Sequence, residues 1–146
     1  MLFSSFRALL AASFIGLVHQ ALATCTTKPQ GYCTLELMAI VYDDLFQDTL
    51  EWEVANVFDK DCNNIGGLSQ HGDIVPGTLI QSDLPWDIEI TRLKTRGGSG
   101  DYDNIGFKYG DLYNFVGFFS CTAYSVDWPN YTGDINDCVH AFPCSG

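Results

Sequence analysis

Basic residues are scarce in this chain: seven Lys and Arg stand against 18 Asp and Glu, for a net charge of −11 over 146 residues. Such a surface repels phosphate backbones and anionic lipid, which argues against nucleic-acid and membrane-surface partners. The one basic cluster, Arg92, Lys94 and Arg96 ahead of Gly97, reads as a charged strand end that discourages sheet-to-sheet pairing. Long apolar runs are missing after the N-terminus, so no spanning helix of about 20 residues is expected. Catalytic punctuation is missing too. There is no G-x-S-x-G nucleophile elbow, no Cys-x-x-Cys pair or His partner at zinc-finger spacing, and only His71 and His140 lie beyond the first 23 residues.

The apolar run that is present, Ala8 to Val18, follows the single charge of Arg7 and precedes Ala21-Leu22-Ala23. A short positive start, a brief apolar stretch and a small-x-small site predict a signal peptide over 1–23 and a secreted, extracellular single domain over 24–146. Removing Arg7 with the leader takes the net charge from −11 to −12.

An exported chain gives the cysteines their meaning. Cys25, Cys33, Cys62, Cys121, Cys138 and Cys144 all follow the leader, and an even number in a short secreted chain reads as a disulfide framework. Six cysteines allow about 15 pairings. The expectation adopted joins Cys25 and Cys33 to Cys138 and Cys144, with Cys62 to Cys121 across the middle.

Period-two alternation dominates the rest. In TLEWEVANVF, Leu50, Trp52, Val54 and Phe58 are expected on one face and Glu51 and Glu53 on the other; WDIEITRL sets Trp86, Ile88 and Ile90 against Asp87, Glu89 and Thr91. YCTLELMAIVY is apolar enough for a central strand, and NIGFKYGDLYNFVGFFSCTAYS predicts two strands around a Gly110-Asp111 turn. Asn63-Asn64 with Gly66-Gly67, Pro76-Gly77 and Gly97-Gly98-Ser99-Gly100 supply turns, and only Asp43 to Asp48 suits a short helix. The predicted fold is all-β: a compact antiparallel β-sandwich or barrel stapled by up to three disulfides.

Two stretches invite a calcium reading, VFDKDCNNIGG from Val57 and DYDNIGF from Asp101. Counted from Asp59, Asp61 and Asn63 fall at ligand positions of an EF-hand loop, but Asn64 stands where glycine belongs and Gln70 where the closing glutamate belongs. Turns built on Asp, Asn and Gly are the expectation for both stretches, with no metal and no cofactor.

Asn130-Tyr131-Thr132 is a glycosylation sequon in the stretch WPNYTGD, read as an exposed loop. Loops carry recognition more often than strands, so Gly97 to Asn104 and Asp127 to Asp137 are the expected binding loops. Tyr102, Trp128 and Tyr131 are their candidate contact residues. His71 reads as a surface loop residue, and His140 as held in a small loop between Cys138 and Cys144. No catalytic residue is assigned.

The runs IGFKYGDLYNF, SCTAYSVDW and DCVHAFPC resemble the C-terminal part of small cysteine-rich secreted proteins of filamentous ascomycete fungi, many of them candidate plant-infection effectors. In this chain His140 and Ala141 stand between Cys138 and Phe142 of the closing tail. The resemblance implies a non-enzymatic virulence role outside the fungal cell, with a host extracellular protein or a cell-wall polysaccharide as partner. Two alternatives stand beside it. One is a ribonuclease-like hydrolase, active or relic, in which Glu89, Arg92 and a histidine would have to meet around a phosphate; the other is a lectin-like glycan binder.

Overall fold

The computed structural model describes residues 25–42, 49–68, 74–94, 104–128 and 131–145, with the side chains of residues 126–128, 131 and 132 excepted. Nine strands run in chain order: β1 (Tyr32–Tyr42), β2 (Thr49–Phe58), β3 (Asn64–Leu68), β4 (Leu79–Ile80), β5 (Ile88–Arg92), β6 (Ile105–Tyr109), β7 (Tyr113–Gly117), β8 (Ser120–Trp128) and β9 (Tyr131–Pro143). They form two antiparallel sheets, ordered β3-β2-β1-β9-β8 and β4-β5-β6-β7. Strand β9 returns beside β1 after a whole meander in the other sheet, giving the spatial order 9-1-2-3 of a Greek key. The fold is a sandwich of two open sheets, not a closed barrel.

Alternation explains the core. Leu35, Leu37 and Ala39 of β1, Ile88 and Ile90 of β5, and Ile105, Phe107 and Tyr109 of β6 are buried between the sheets, each separated along its strand by a residue of the opposite face. Phe107 is the centre of an aromatic cluster. Its ring lies 5.4 to 6.0 Å from those of Phe142, Tyr113, Phe115, His140 and Phe119, the spacing of tilted and edge-to-face pairs.

Strand β2 departs from simple alternation. Its register with β1 shifts where Ala39 pairs with Trp52 and Met38 pairs with Val54, leaving Glu53 as an extra residue. One inserted residue flips everything after it. Leu50 and Trp52 therefore share the core with Ala55 and Val57, while Val54 and Phe58 fall outside that cluster, correcting the face expected for those two. Three other corrections follow. Trp86 precedes β5 in a bend and meets Tyr109 edge-on at 5.6 Å. Gly66 and Gly67 belong to β3. The stretch after Asn104 makes three strands, since β8 begins at Ser120.

Gly66 and Gly67 occupy an edge where the two sheets meet. The Gly67 N–H donates to the Gln81 carbonyl at 2.9 Å and the Asp83 N–H to the Ile65 carbonyl at 2.8 Å, with a bridge between Gly66 and Ser82. A Cβ on Gly66 would collide with Ser82 and Gln81, and one on Gly67, whose φ is +153°, with the Ala55 carbonyl. The glycines are there for close approach, not for a turn.

The disulfides are Cys25–Cys62, Cys33–Cys144 and Cys121–Cys138. Cys33 does join Cys144, but the other two expected bridges are wrong. Cys121 and Cys138 are cross-strand partners in β8 and β9, 4.0 Å apart at Cα, so each has its partner directly opposite. Cys25 instead reaches Cys62 because the Lys28 N–H bonds the Lys60 carbonyl at 2.8 Å and lays the N-terminal segment along the Asp59 loop. His140 consequently sits within β9 and not in a small closed loop.

The closed spans of 111, 37 and 17 residues rank the bridges. Loop-closure entropy assigns about 4.8, 3.8 and 3.1 kcal/mol respectively. Paired alanine substitution should thus lower the urea midpoint most for Cys33 with Cys144 and least for Cys121 with Cys138; the reverse order would contradict the unfolded-state origin of the effect.

Candidate functional site

The Asp59 loop is a turn whose oxygens are already engaged. Asp59 Oδ1 accepts the backbone N–H groups of Asp61 and Asn63, both at 2.9 Å, and Oδ2 accepts the Asn63 side-chain amide at 2.8 Å. Asp61 in turn pairs with Lys60. These bonds, the Asn63 side chain first, hold the Asp59 carboxyl below its ordinary range. They also let Cys62 take a φ of 65°, a conformation uncommon outside glycine. Among the described residues no three His, Cys, Asp or Glu side chains gather to hold a metal. Residues 101–103 of the second stretch lie outside the described residues, as do His71, Tyr102, Asn130 and the Asp43 to Asp48 segment.

Trp128 and Tyr131 are cross-strand partners at the tip of the β8–β9 hairpin. The segment read as the loop Asp127 to Asp137 is thus mostly strand: alternation there is broken by Asn136 and Asp137, both buried, which disguises β9. Glu89 pairs with Lys108 at 2.9 Å on the outer face of the second sheet, whereas His140 faces the inner aromatic cluster. Arg92 donates to Asn104 Oδ1 at 3.3 Å. The ribonuclease-like trio of Glu89, Arg92 and His140 is not assembled.

His140 links the sheets. Its Nε2 lies 3.0 Å from the Tyr113 hydroxyl, its ring centroid is 3.7 Å from that of Phe115, and it bonds the Phe118 backbone. A neutral imidazole serves both bonds, donating from one nitrogen and accepting at the other. Burial pushes its pKa below 6.5, and the bond to Phe118 only partly offsets this.

His140 and Phe118 also line a groove on the described surface. The groove holds about 480 Å³ on the outer face of β1, β9 and β8, lined by Thr26, Lys28, Thr34, Phe118, Ser120, Thr122, Val139, His140 and Ala141. Strand alternation builds it: Thr34, Val139, Ala141, Ser120 and Thr122 point away from the core that their neighbours Cys33, Leu35, Cys138 and Phe142 fill. Phe118, between β7 and β8, is 71 % exposed. Lys28 Nζ donates to Thr26 Oγ1 at 2.9 Å. Thr34 is only 2 % exposed, and its hydroxyl has no hydrogen-bond partner among the described residues. The nearest groove residue on β8, Thr122, lies six residues from Trp128, on the order of 20 Å at about 3.3 Å per residue, so the expected aromatic contacts and this cavity are at opposite ends of the hairpin.

Apart from His140, read from the sequence as a structural residue, sequence reasoning missed all of the groove's polar residues. A single threonine in the apolar strand YCTLELMAIVY, and the Phe118-Phe119 pair that must send one ring out and one in, were the available signals. No family model, no curated protein and no solved structure matches the chain; the reading of the groove rests on its own residues.

Two outcomes are expected. Millimolar calcium should leave the melting temperature unchanged, since Asp59, Asp61 and Asn63 are all engaged by protein partners; a rise abolished by Asp61→Asn would contradict the turn reading. His140, neutral in the fold, contributes its full share of stability above pH 6.5, the unfolded value. That share should fall as the pH drops below 6.5 toward the lower folded value, because the unfolded state then binds the extra proton. His140→Gln, which keeps a partner for Tyr113, should flatten the decline in melting temperature between neutral and acid pH, and an unaltered slope would count against the assignment.

Proposed function

We propose that the protein is a secreted recognition protein of the effector type, acting outside the producing cell by binding a host protein or a cell-wall component and not by turnover. The observation that carries this reading is the groove. It is a preformed concavity with an exposed aromatic rim, hydroxyl donors and a single ammonium, the mix that fixes small polar ligands or protruding partner groups. Three disulfides suit an extracellular setting, where thiols oxidise and proteases select against chains that open. The acidic surface leaves nucleic acid and anionic lipid as poor partners. A leader over 1–23 supplies the route of export, and the likeness to fungal cysteine-rich proteins supplies the effector role.

The test is capture. Mature, oxidised protein carrying an affinity tag should retain a defined component from host extracellular fluid or from cell-wall extract. Phe118→Ala and Lys28→Met should weaken that retention while His71→Ala leaves it intact. Loss of the host response on His71→Ala, with secretion and folding normal, would favour turnover instead.

A further inference from the structure

The groove carries information about its occupant. The chain has 18 acidic residues, yet no carboxylate lines this cavity, and its one permanent charge is Lys28. The remaining polar groups are hydroxyls, of Thr26, Thr34, Ser120 and Thr122. Thr34 lines the groove, and its Oγ1 is buried without a hydrogen-bond partner among the described residues, an unmet bond that a ligand hydroxyl reaching it would supply. Phe118, exposed, lines the same groove beside the half-buried His140. An exposed aromatic face beside several hydroxyls suits a ligand with one apolar C–H face and a periphery of hydroxyls. A peptide side chain does not combine these, but a pyranose ring does.

We propose that the groove binds a short oligosaccharide. One sugar ring packs on the Phe118 face, ring hydroxyls bond Thr34, Ser120 and Thr122, and Lys28 donates to a ring hydroxyl or to a uronate carboxylate. The inference deepens the recognition reading above and rests on it. Ligand hydroxyls serve as both donor and acceptor, so they satisfy Thr34 whichever way its hydrogen turns. No bond is broken, and the occupant leaves unchanged.

The experiment uses the oxidised mature protein, titrated with tetramers of N-acetylglucosamine, β-1,3-linked glucose and galacturonate, followed by calorimetry and by amide chemical shifts. At least one tetramer should bind at millimolar concentration or below and shift the amides of Thr34, Ser120 and Val139. Galacturonate binding that Lys28→Met and added salt both weaken would identify an acidic sugar. Binding of a neutral tetramer that Lys28→Met barely alters would identify a neutral one. In either case Phe118→Ala and Thr34→Val should each weaken binding by roughly tenfold, the equivalent of about one hydrogen bond to a desolvated partner.

Thr34→Val also separates a binding role from a structural one. Valine removes an unpartnered hydroxyl, so the melting temperature should stay level or rise while affinity falls; a loss of stability with unchanged affinity would contradict the assignment. Absence of binding by all three tetramers, or binding indifferent to Phe118→Ala and Thr34→Val, would overturn the glycan inference. If the groove variants nonetheless abolish capture of a host protein, recognition by this face stands and only the sugar assignment fails.

Discussion

Antiparallel pairing of β1 with β9 is the constraint on which the rest of the molecule depends. It runs in unbroken register from Tyr32 opposite Pro143 to Val41 opposite Asp134, so the first and last strands of the chain become neighbours at the centre of one sheet. Contacts of such high sequence separation cost loop-closure entropy before they return anything. The Cys33–Cys144 bridge, closing 111 residues beside that pairing, removes much of this cost from the unfolded state. The N-terminal segment, anchored through Cys25–Cys62, then lies beside the joined strands and contributes Thr26 and Lys28 to the groove.

The second sheet acts on the groove from the opposite side. Phe107 and its ring partners fill the interior, and His140 stands at the edge of that cluster with one bond to Tyr113 across the sandwich and one to the Phe118 backbone. A preformed rim loses less freedom on binding than a loose loop does. Burial makes His140 the group through which mild acid weakens the sandwich.

Much of the architecture could be read from residue alternation. YCTLELMAIVY is the central strand β1, and Ile88, Ile90, Phe107 and Tyr109 fall inward as their spacing implies. What stayed hidden has physical causes. The inserted Glu53 reverses the faces of β2, and no local feature of Trp52-Glu53-Val54 distinguishes a bulge from plain alternation. Buried Asn136 and Asp137 made β9 look like a loop, and the disulfide pairing follows from strand neighbours that only the Greek-key return brings together. The groove was hidden for the same reason. Its lining comes from residues 26 to 34, 118 to 122 and 139 to 141, three segments that are uninformative singly and are assembled by the pairing of β1 with β9 and of β9 with β8.

Disulfide mapping of the oxidised protein tests this assembly most directly. Proteolysis without reduction, followed by mass spectrometry of the linked peptides, should recover Cys25–Cys62, Cys33–Cys144 and Cys121–Cys138 with no free thiol. Recovery of Cys33 linked to Cys138, or of Cys62 linked to Cys121, would contradict the register of β1 against β9 and with it the groove those strands create.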